Sequence, residues 1–323
     1  MIVGEMEDES GDCSSGSRRG ARLGMRHVVL ATGLALLSVR AAVGVPIPEE
    51  IKKIVSFIFV RNAGGQLVPN GTGFFVGVPS DKDPNRSYVY LVTAKHVLQD
   101  QRGQWFPEVA VRLNKLDGGA EFVRLDLRPK KQVYTHATDG SVDIAVVPAL
   151  PDQTRYDFKF LSPDMMATDE TLRSLEISEG SDVFFVGLFT QFYGAQRNYP
   201  IVRFGRVAML TDEPVPWEVR KGVLQLRRVY LLETQSFGGN SGSPVFFYLG
   251  AERKGGLNAG PPIIALAGVM MGTYLDAQEI REIETARVPI SVSNAGIAAV
   301  VPSYLLREVL YSSRLKHQRR KTL

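Results

Sequence analysis

The chain of 323 residues is 44% hydrophobic and 22% charged, with 31 Gly and 18 Pro, a composition that buries the core of one large or two modest domains and excludes disorder throughout. Its single cysteine, Cys13, excludes a disulfide framework, a CxxC redox pair and a thiolate zinc cluster. The formal charge of +4 is not a nucleic-acid signature, because residues 1–44 are balanced, residues 313–323 carry +5, and the body between them is slightly acidic.

At the N-terminus, Val28–Val39 (VVLATGLALLSV) is an apolar run that follows Arg18, Arg19, Arg22 and Arg26 and precedes Ala41, Ala42 and Gly44. Basic flank, apolar stretch and small residues in that order read as a secretory signal over residues 1–44, cleaved after Gly44. The run is shorter than the ~20 residues a spanning helix needs, and an uncleaved signal would act as a membrane tether. Met25 opens the segment, which makes residues 1–24 an over-extended start. Cleavage removes Cys13, and an exported domain free of cysteine points to a bacterial envelope, periplasmic or extracellular.

From Glu50 onward, short β-type runs recur about every ten positions between turn residues. Residues 54–60, 73–78, 88–93, 109–114 and 143–148 form a first set, within a domain spanning 45–150. After a linker containing Pro, Asp and Ser (151–180), residues 182–189, 199–210, 224–234, 243–248, 262–272 and 296–302 form a second set, within 181–302. Two comparable β-rich halves predict an all-β chain with a duplicated barrel, since closure removes sheet edges. Ser303 is placed to N-cap a short amphipathic helix, YLLREVLY, which opens the last segment, 303–323. The basic residues beyond it read as a solvated tail.

The most informative string is Ser236–Pro244 (SFGGNSGSP), in which Ser241 is held between glycines ahead of a β-run. A serine hydroxyl is a weak nucleophile, so acyl transfer needs an adjacent imidazole and donors for the developing oxyanion. Gly239 and Gly242 free the backbone for a tight turn, after which the N–H groups of Gly239 and Ser241 can point into one anion hole. Taken alone, the string also fits an ordinary Gly/Ser turn. The candidate base is His96, where the strand LVTAKHVL enters a turn. Asp143 heads the apolar run IAVVP, a place where a carboxylate is costly to bury without a partner such as an imidazole Nδ1–H. Asp139, in Thr-Asp-Gly, is turn chemistry, and His136 in the same loop reads as a surface residue. The four histidines, His27, His96, His136 and His317, lack the spacing of a helical metal site.

The order His96, Asp143, Ser241, set in TAKH, DIAVV and GNSGSP, resembles the chymotrypsin-fold (trypsin-like) serine proteases. Within them it is similar to the disulfide-free bacterial branch that contains the HtrA/Deg-type enzymes. The resemblance spans residues 51–312: Gly71–Val76 looks like the strand before the histidine, and Gly296–Ser303 like the last barrel strand. It implies two six-stranded antiparallel β-barrels with a short C-terminal helix and a site in the cleft between them. By the same resemblance Ser241 is the nucleophile, His96 the proton shuttle, Asp143 the partner of the imidazolium, and the Gly239 and Ser241 amides the oxyanion hole. The implied reaction is endopeptidase cleavage of proteins or peptides through an acyl-enzyme, with no cofactor, no metal and no nucleic-acid partner. No oligomeric state follows from it.

Several residues depart from the family pattern. Asn240 stands where zymogen-activated relatives carry an aspartate that pairs with a new N-terminal ammonium, so activation by trimming is not expected. Val97 stands where secreted animal relatives have a bridged cysteine, and Lys95 reads as solvent-facing with no catalytic role. The chain leaves no room for a PDZ domain after the protease. Counting back as in trypsin relatives places the floor of the substrate pocket at Gln235, with Met271 and Gly272 on the wall strand. Without a carboxylate at that floor, an apolar or small residue before the scissile bond is expected. Met270 and Met271 also read as barrel core, the commoner fate of methionine in a β-run. The competing function is a protease-fold binding or regulatory module with little turnover. An esterase is disfavoured by the absence of a GxSxG elbow.

Overall fold

The computed structural model describes residues 46–83, 85–128, 132–220, 222–250, 252–253, 256–257, 261–279 and 290–321. The expected signal segment, its cleavage site and Cys13 lie outside the described residues. Helix α1 (Glu49–Lys53) leads into β1 (Val55–Arg61), β2 (Leu67–Pro79), β3 (Ser87–Thr93), β4 (Glu108–Asn114), β5 (Ala120–Asp126) and β6 (Ala145–Pro148). A connection carrying α2 (Asp169–Ser174) then reaches β7 (Asp182–Gly187), β8 (Ile201–Met209), β9 (Val215–Arg220), β10 (Val223–Arg227), β11 (Tyr230–Glu233) and β12 (Pro244–Leu249). The short pair β13 (Glu252–Arg253) and β14 (Gly256–Leu257) precedes the long β15 (Ile263–Glu279) and β16 (Ile290–Pro302), and α3 (Ser303–Leu310) and α4 (Ser313–Lys321) end the chain.

The second half closes into a six-stranded antiparallel barrel in the order β11-β16-β15-β12-β7-β8. The first half does not close as expected. It is a six-stranded half-barrel in the order β5-β4-β1-β2-β3-β6. The outer edge of β6 is taken by Tyr134, whose N–H and C=O bond Val146 at 2.8 Å in both directions, which leaves no edge for β5. The edge strand β5 and strand β9 were not among the expected strands. The predicted run 224–234 is broken after Arg227, and its first part folds back on β9 around Gly222, which has φ +77°.

Alternation along the strands explains why they read as continuous apolar runs. In β12, Val245 and Phe247 fill the closed barrel while Phe246 faces the other sheet; in β3, Val89 and Leu91 fill the half-barrel while Tyr90 and Val92 face outward to the shared core. Strands buried on both faces need no polar positions. The shared core also takes Phe57, Phe74, Phe184, Leu266, Val301 and, from α3, Leu305 and Leu306.

Two C-terminal expectations are corrected. Ser303 is the first residue of α3 rather than its N-cap, and its buried hydroxyl donates to Ala167 O at 2.7 Å. The basic tail is helical and docked. Leu315 and Arg319, four apart on one face of α4, are buried, and Arg319 donates to Tyr90 Oη (3.2 Å) and Leu310 O (2.8 Å). Tyr88 Oη in turn donates to Arg319 O at 2.9 Å, which fastens the helix to β3.

Candidate active site

His96 leaves the end of β3 on a single 3-10 turn, Lys95–Leu98. The antiparallel pairing of β3 with β6 sets Thr93 opposite Ala145, so the residues just beyond each strand end meet, and Lys95 N–H donates to Asp143 O at 3.3 Å. The Asp143 carboxylate is bonded twice by one residue: Oδ1 accepts the His96 backbone N–H at 3.0 Å, and Oδ2 lies 2.6 Å from His96 Nδ1. The Asp143 side chain is 6% exposed, that of His96 48%. Burial alone would lower the imidazole pKa, but the charge and hydrogen bond of Asp143 outweigh it and hold His96 above its ordinary value. Burial likewise pushes Asp143 up, and the His96 ring and backbone N–H outweigh it, holding the carboxyl below its usual range. The arrangement fixes Nδ1 to the carboxylate and leaves the other ring nitrogen for chemistry.

The serine loop is ordered from within the fold. Asn240, 1% exposed, accepts the Phe237 N–H at 2.9 Å and donates to Leu188 O at 2.8 Å. Gly239, with φ +95°, occupies the third position of a turn closed by Asn240 N–H to Phe237 O at 3.0 Å, the signature of a type II turn. Thr72 is the hub that the sequence reading missed: its Oγ1 donates to Gly239 O at 2.8 Å and accepts the Leu188 N–H at 2.9 Å. Its backbone N–H donates to Ser241 O at 2.8 Å, and its carbonyl accepts from Thr93 Oγ1 at 2.7 Å. The signal for it was the spacing Gly71-Thr72-Gly73. Replacing Thr72 by Val strands Gly239 O and the Leu188 N–H, so the unfolding free energy should fall by about 1–3 kcal/mol per stranded group. Denaturant titration of Thr72→Val checks this, with Thr72→Ser expected near the natural chain.

The Ser241 loop packs against the residues that flank His96. A Cβ on Gly71 would press on Val97 and lie 3.1 Å from Ser241 O, and one on Gly242 would lie 3.1 Å from Ala94 N. The Ser241 hydroxyl donates to Met271 O at 3.2 Å, and no hydrogen bond joins it to His96 among the described residues. Neither the Gly239 N–H nor the Ser241 N–H has a protein acceptor among the described residues.

Asp139 is a turn residue, accepting the Ser141 N–H at 2.8 Å and pairing with Arg228 at 3.1 Å. Two minor expectations fail. His136 is not a surface residue: its side chain is 8% exposed, with Nδ1 accepting from Asp139 N–H and Nε2 2.7 Å from Glu308. Lys95 does not point to solvent but donates to Gly140 O at 2.6 Å, and burial lowers its pKa. At the expected pocket, Met271 turns its side chain into the shared core, so the wall strand offers backbone there rather than a methionine. Gln235 is exposed, with Oε1 3.4 Å from Arg203 Nη2. A cavity of about 640 Å³ lies elsewhere, lined by Ser80, Tyr88, Leu150 and Phe160 among others.

A closed barrel beside a half-barrel, with a His paired to a buried Asp at the end of one and a glycine-framed serine ahead of a strand in the other, defines a chymotrypsin-like fold. Residues 71–250 match the trypsin-like peptidase domain, and the chain belongs to that family. Among solved structures it is similar to the Rv3671c protease of M. tuberculosis in its active form (17% identity, covering 81% of each chain, TM-score 0.43). It is similar also to the thermostable serine protease AL20 from an extremophilic microorganism (13% identity, covering 81% of this chain and 97% of that one, TM-score 0.41). A third is HBP (11% identity, covering 82% and 92%, TM-score 0.40). No curated protein matches the chain in sequence.

Proposed function

We propose that the protein is an exported serine endopeptidase that works through Ser241, His96 and Asp143. The observation that carries this reading is the 2.6 Å contact of His96 Nδ1 with buried Asp143 beside the glycine-framed Ser241. In the reaction, the Ser241 hydroxyl leaves Met271 O and turns to His96 Nε2. Its proton passes to the imidazole as Oγ bonds the scissile carbonyl carbon, and Asp143 stabilises the imidazolium. The Gly239 and Ser241 N–H groups receive the oxyanion. His96 then gives the proton to the leaving amine, and water hydrolyses the acyl-enzyme by the same path in reverse. Proteins or peptides are the substrates, with an apolar or small residue before the scissile bond, since the residue counted to the floor of the pocket, Gln235, is not a carboxylate.

Export rests on the basic flank, apolar run and small residues of 18–44. N-terminal sequencing of the envelope or secreted fraction should begin near Val45; a cytosolic protein that retains residues 25–44 would contradict it. A second reading, a binding module with little turnover, is favoured by one observation, the Ser241 hydroxyl resting on Met271 O. Covalent labelling of Ser241 by a fluorophosphonate tells the two apart.

A further inference from the structure

The β9–β10 hairpin lies outside the closed barrel yet reaches both sides of the site. On one side Trp217 covers the wall strand, where a Cβ on Gly272 would come 3.2 Å from Trp217 Cζ2. Tyr274 holds it there, ring edge to ring at 4.8 Å, with its hydroxyl donating to Pro216 O at 2.9 Å. On the other side Arg227 Nη1 donates to Ser141 O, and Arg228 pairs with Asp139 at 3.1 Å. The turn so gripped, Asp139–Ser141, leads straight into Asp143.

We infer that Arg227 is a positioning residue for the Asp143–His96 pair, so that the docked β9–β10 hairpin, and not the two sheets alone, keeps that pair in register. The inference rests on the role given to those residues above. Asp143 lies just outside β6, which starts at Ala145: Lys95 N–H holds its carbonyl from one side, and the turn before it sets the approach of the carboxylate from the other. Two successive carbonyls of that turn are held by cations from different halves of the chain, Gly140 O by Lys95 and Ser141 O by Arg227. The guanidinium is aimed by its second bond, Nη2 to Gln225 Oε1 at 2.9 Å on its own strand. A planar fork with two fixed donors holds a carbonyl where a flexible ammonium would not.

The charged groups around the pair sort simply. Arg227 and Lys95 both oppose protonation of His96. Asp139 is neutralised by Arg228, and His136, which supports the same turn, is engaged with Glu308. Removing Arg227 therefore takes away one cation that holds the imidazole neutral, as well as the grip on the turn.

The test uses the full chain carrying Arg227→Met, which keeps the aliphatic stem, and Arg227→Lys, which keeps the charge without the fork. For Arg227→Met, kcat on a peptide should fall between about tenfold and a hundredfold with KM little changed, the cost of a misplaced catalytic group. In Arg227→Met two effects on the His96 ring oppose: loss of the cation raises its titration, and a loosened Asp143 lowers it. Arg227→Lys, which keeps the charge, isolates the second effect: His96, followed by NMR, should titrate at lower pH than in the natural chain, and only part of kcat should return. Unchanged kcat in Arg227→Met together with an unchanged His96 titration in Arg227→Lys would overturn the inference, as would a rise in KM with kcat intact, which would make the hairpin a substrate wall only. The titration needs no turnover, so a lowered His96 midpoint in Arg227→Lys of a chain that never cleaves peptide would sink the protease reading and leave the positioning role standing.

Discussion

Ser241→Ala should lower kcat/KM on a peptide substrate by about 10⁴-fold to 10⁶-fold and leave thermal unfolding close to that of the natural chain. The loss is large because no other group can form the acyl bond. The fold is spared because, among the described residues, the hydroxyl makes a single hydrogen bond, to Met271 O, while the backbone bond from Thr72 N–H to Ser241 O remains. His96→Ala should cost a similar factor, and the two together little more than either alone, since nucleophile and base act as one unit. Undiminished cleavage by Ser241→Ala would remove the serine from the mechanism.

Asp143→Asn should cost about 10⁴-fold, because an amide in its place favours the wrong imidazole tautomer. It should also move the pH profile. His96 must be neutral to act as base, and its pKa is held above the ordinary value by Asp143 against the opposing pull of burial. Cleavage by the natural chain therefore rises with pH through an elevated midpoint, and in Asp143→Asn that midpoint should fall. Stability follows the same pair with opposite limits. His96, raised in the folded state, stabilises at pH below its unfolded pKa, and that contribution is lost as pH climbs through the folded value. Asp143, lowered, stabilises above the unfolded carboxylate pKa and loses its contribution as pH falls through the folded value. Asp139→Asn removes an ion pair with Arg228 and should leave the midpoint near its place; a shift there equal to that of Asp143→Asn would move the acid role to Asp139.

The elements legible in the sequence are those buried on both faces. Phe57, Phe74, Leu91, Phe184 and Phe246 sit in runs dense enough to announce a strand whichever side they face. The strands that escaped notice are half-exposed: β5 presents Phe122 to solvent, and β9 leaves Val219 exposed. The α4 helix has no apolar stripe, and its docking depends on one leucine and a buried arginine whose tyrosine partners lie far back in the chain. The site divided in the same way. His96, Asp143 and Ser241 were legible because each carries its chemistry in its own residue type and a distinctive local string. Thr72, Lys95 and Arg227 were not, since each acts through a backbone carbonyl or amide of a distant segment, and carbonyls leave no trace in a sequence.

Exposure of the folded chain to a fluorophosphonate, followed by mass mapping of the adduct, tests most directly whether the serine is armed. The expected result is one adduct, on Ser241, formed readily above the His96 midpoint, absent in Ser241→Ala and strongly slowed in His96→Ala. A folded chain that stays unlabelled, or an adduct on another residue, would contradict the account.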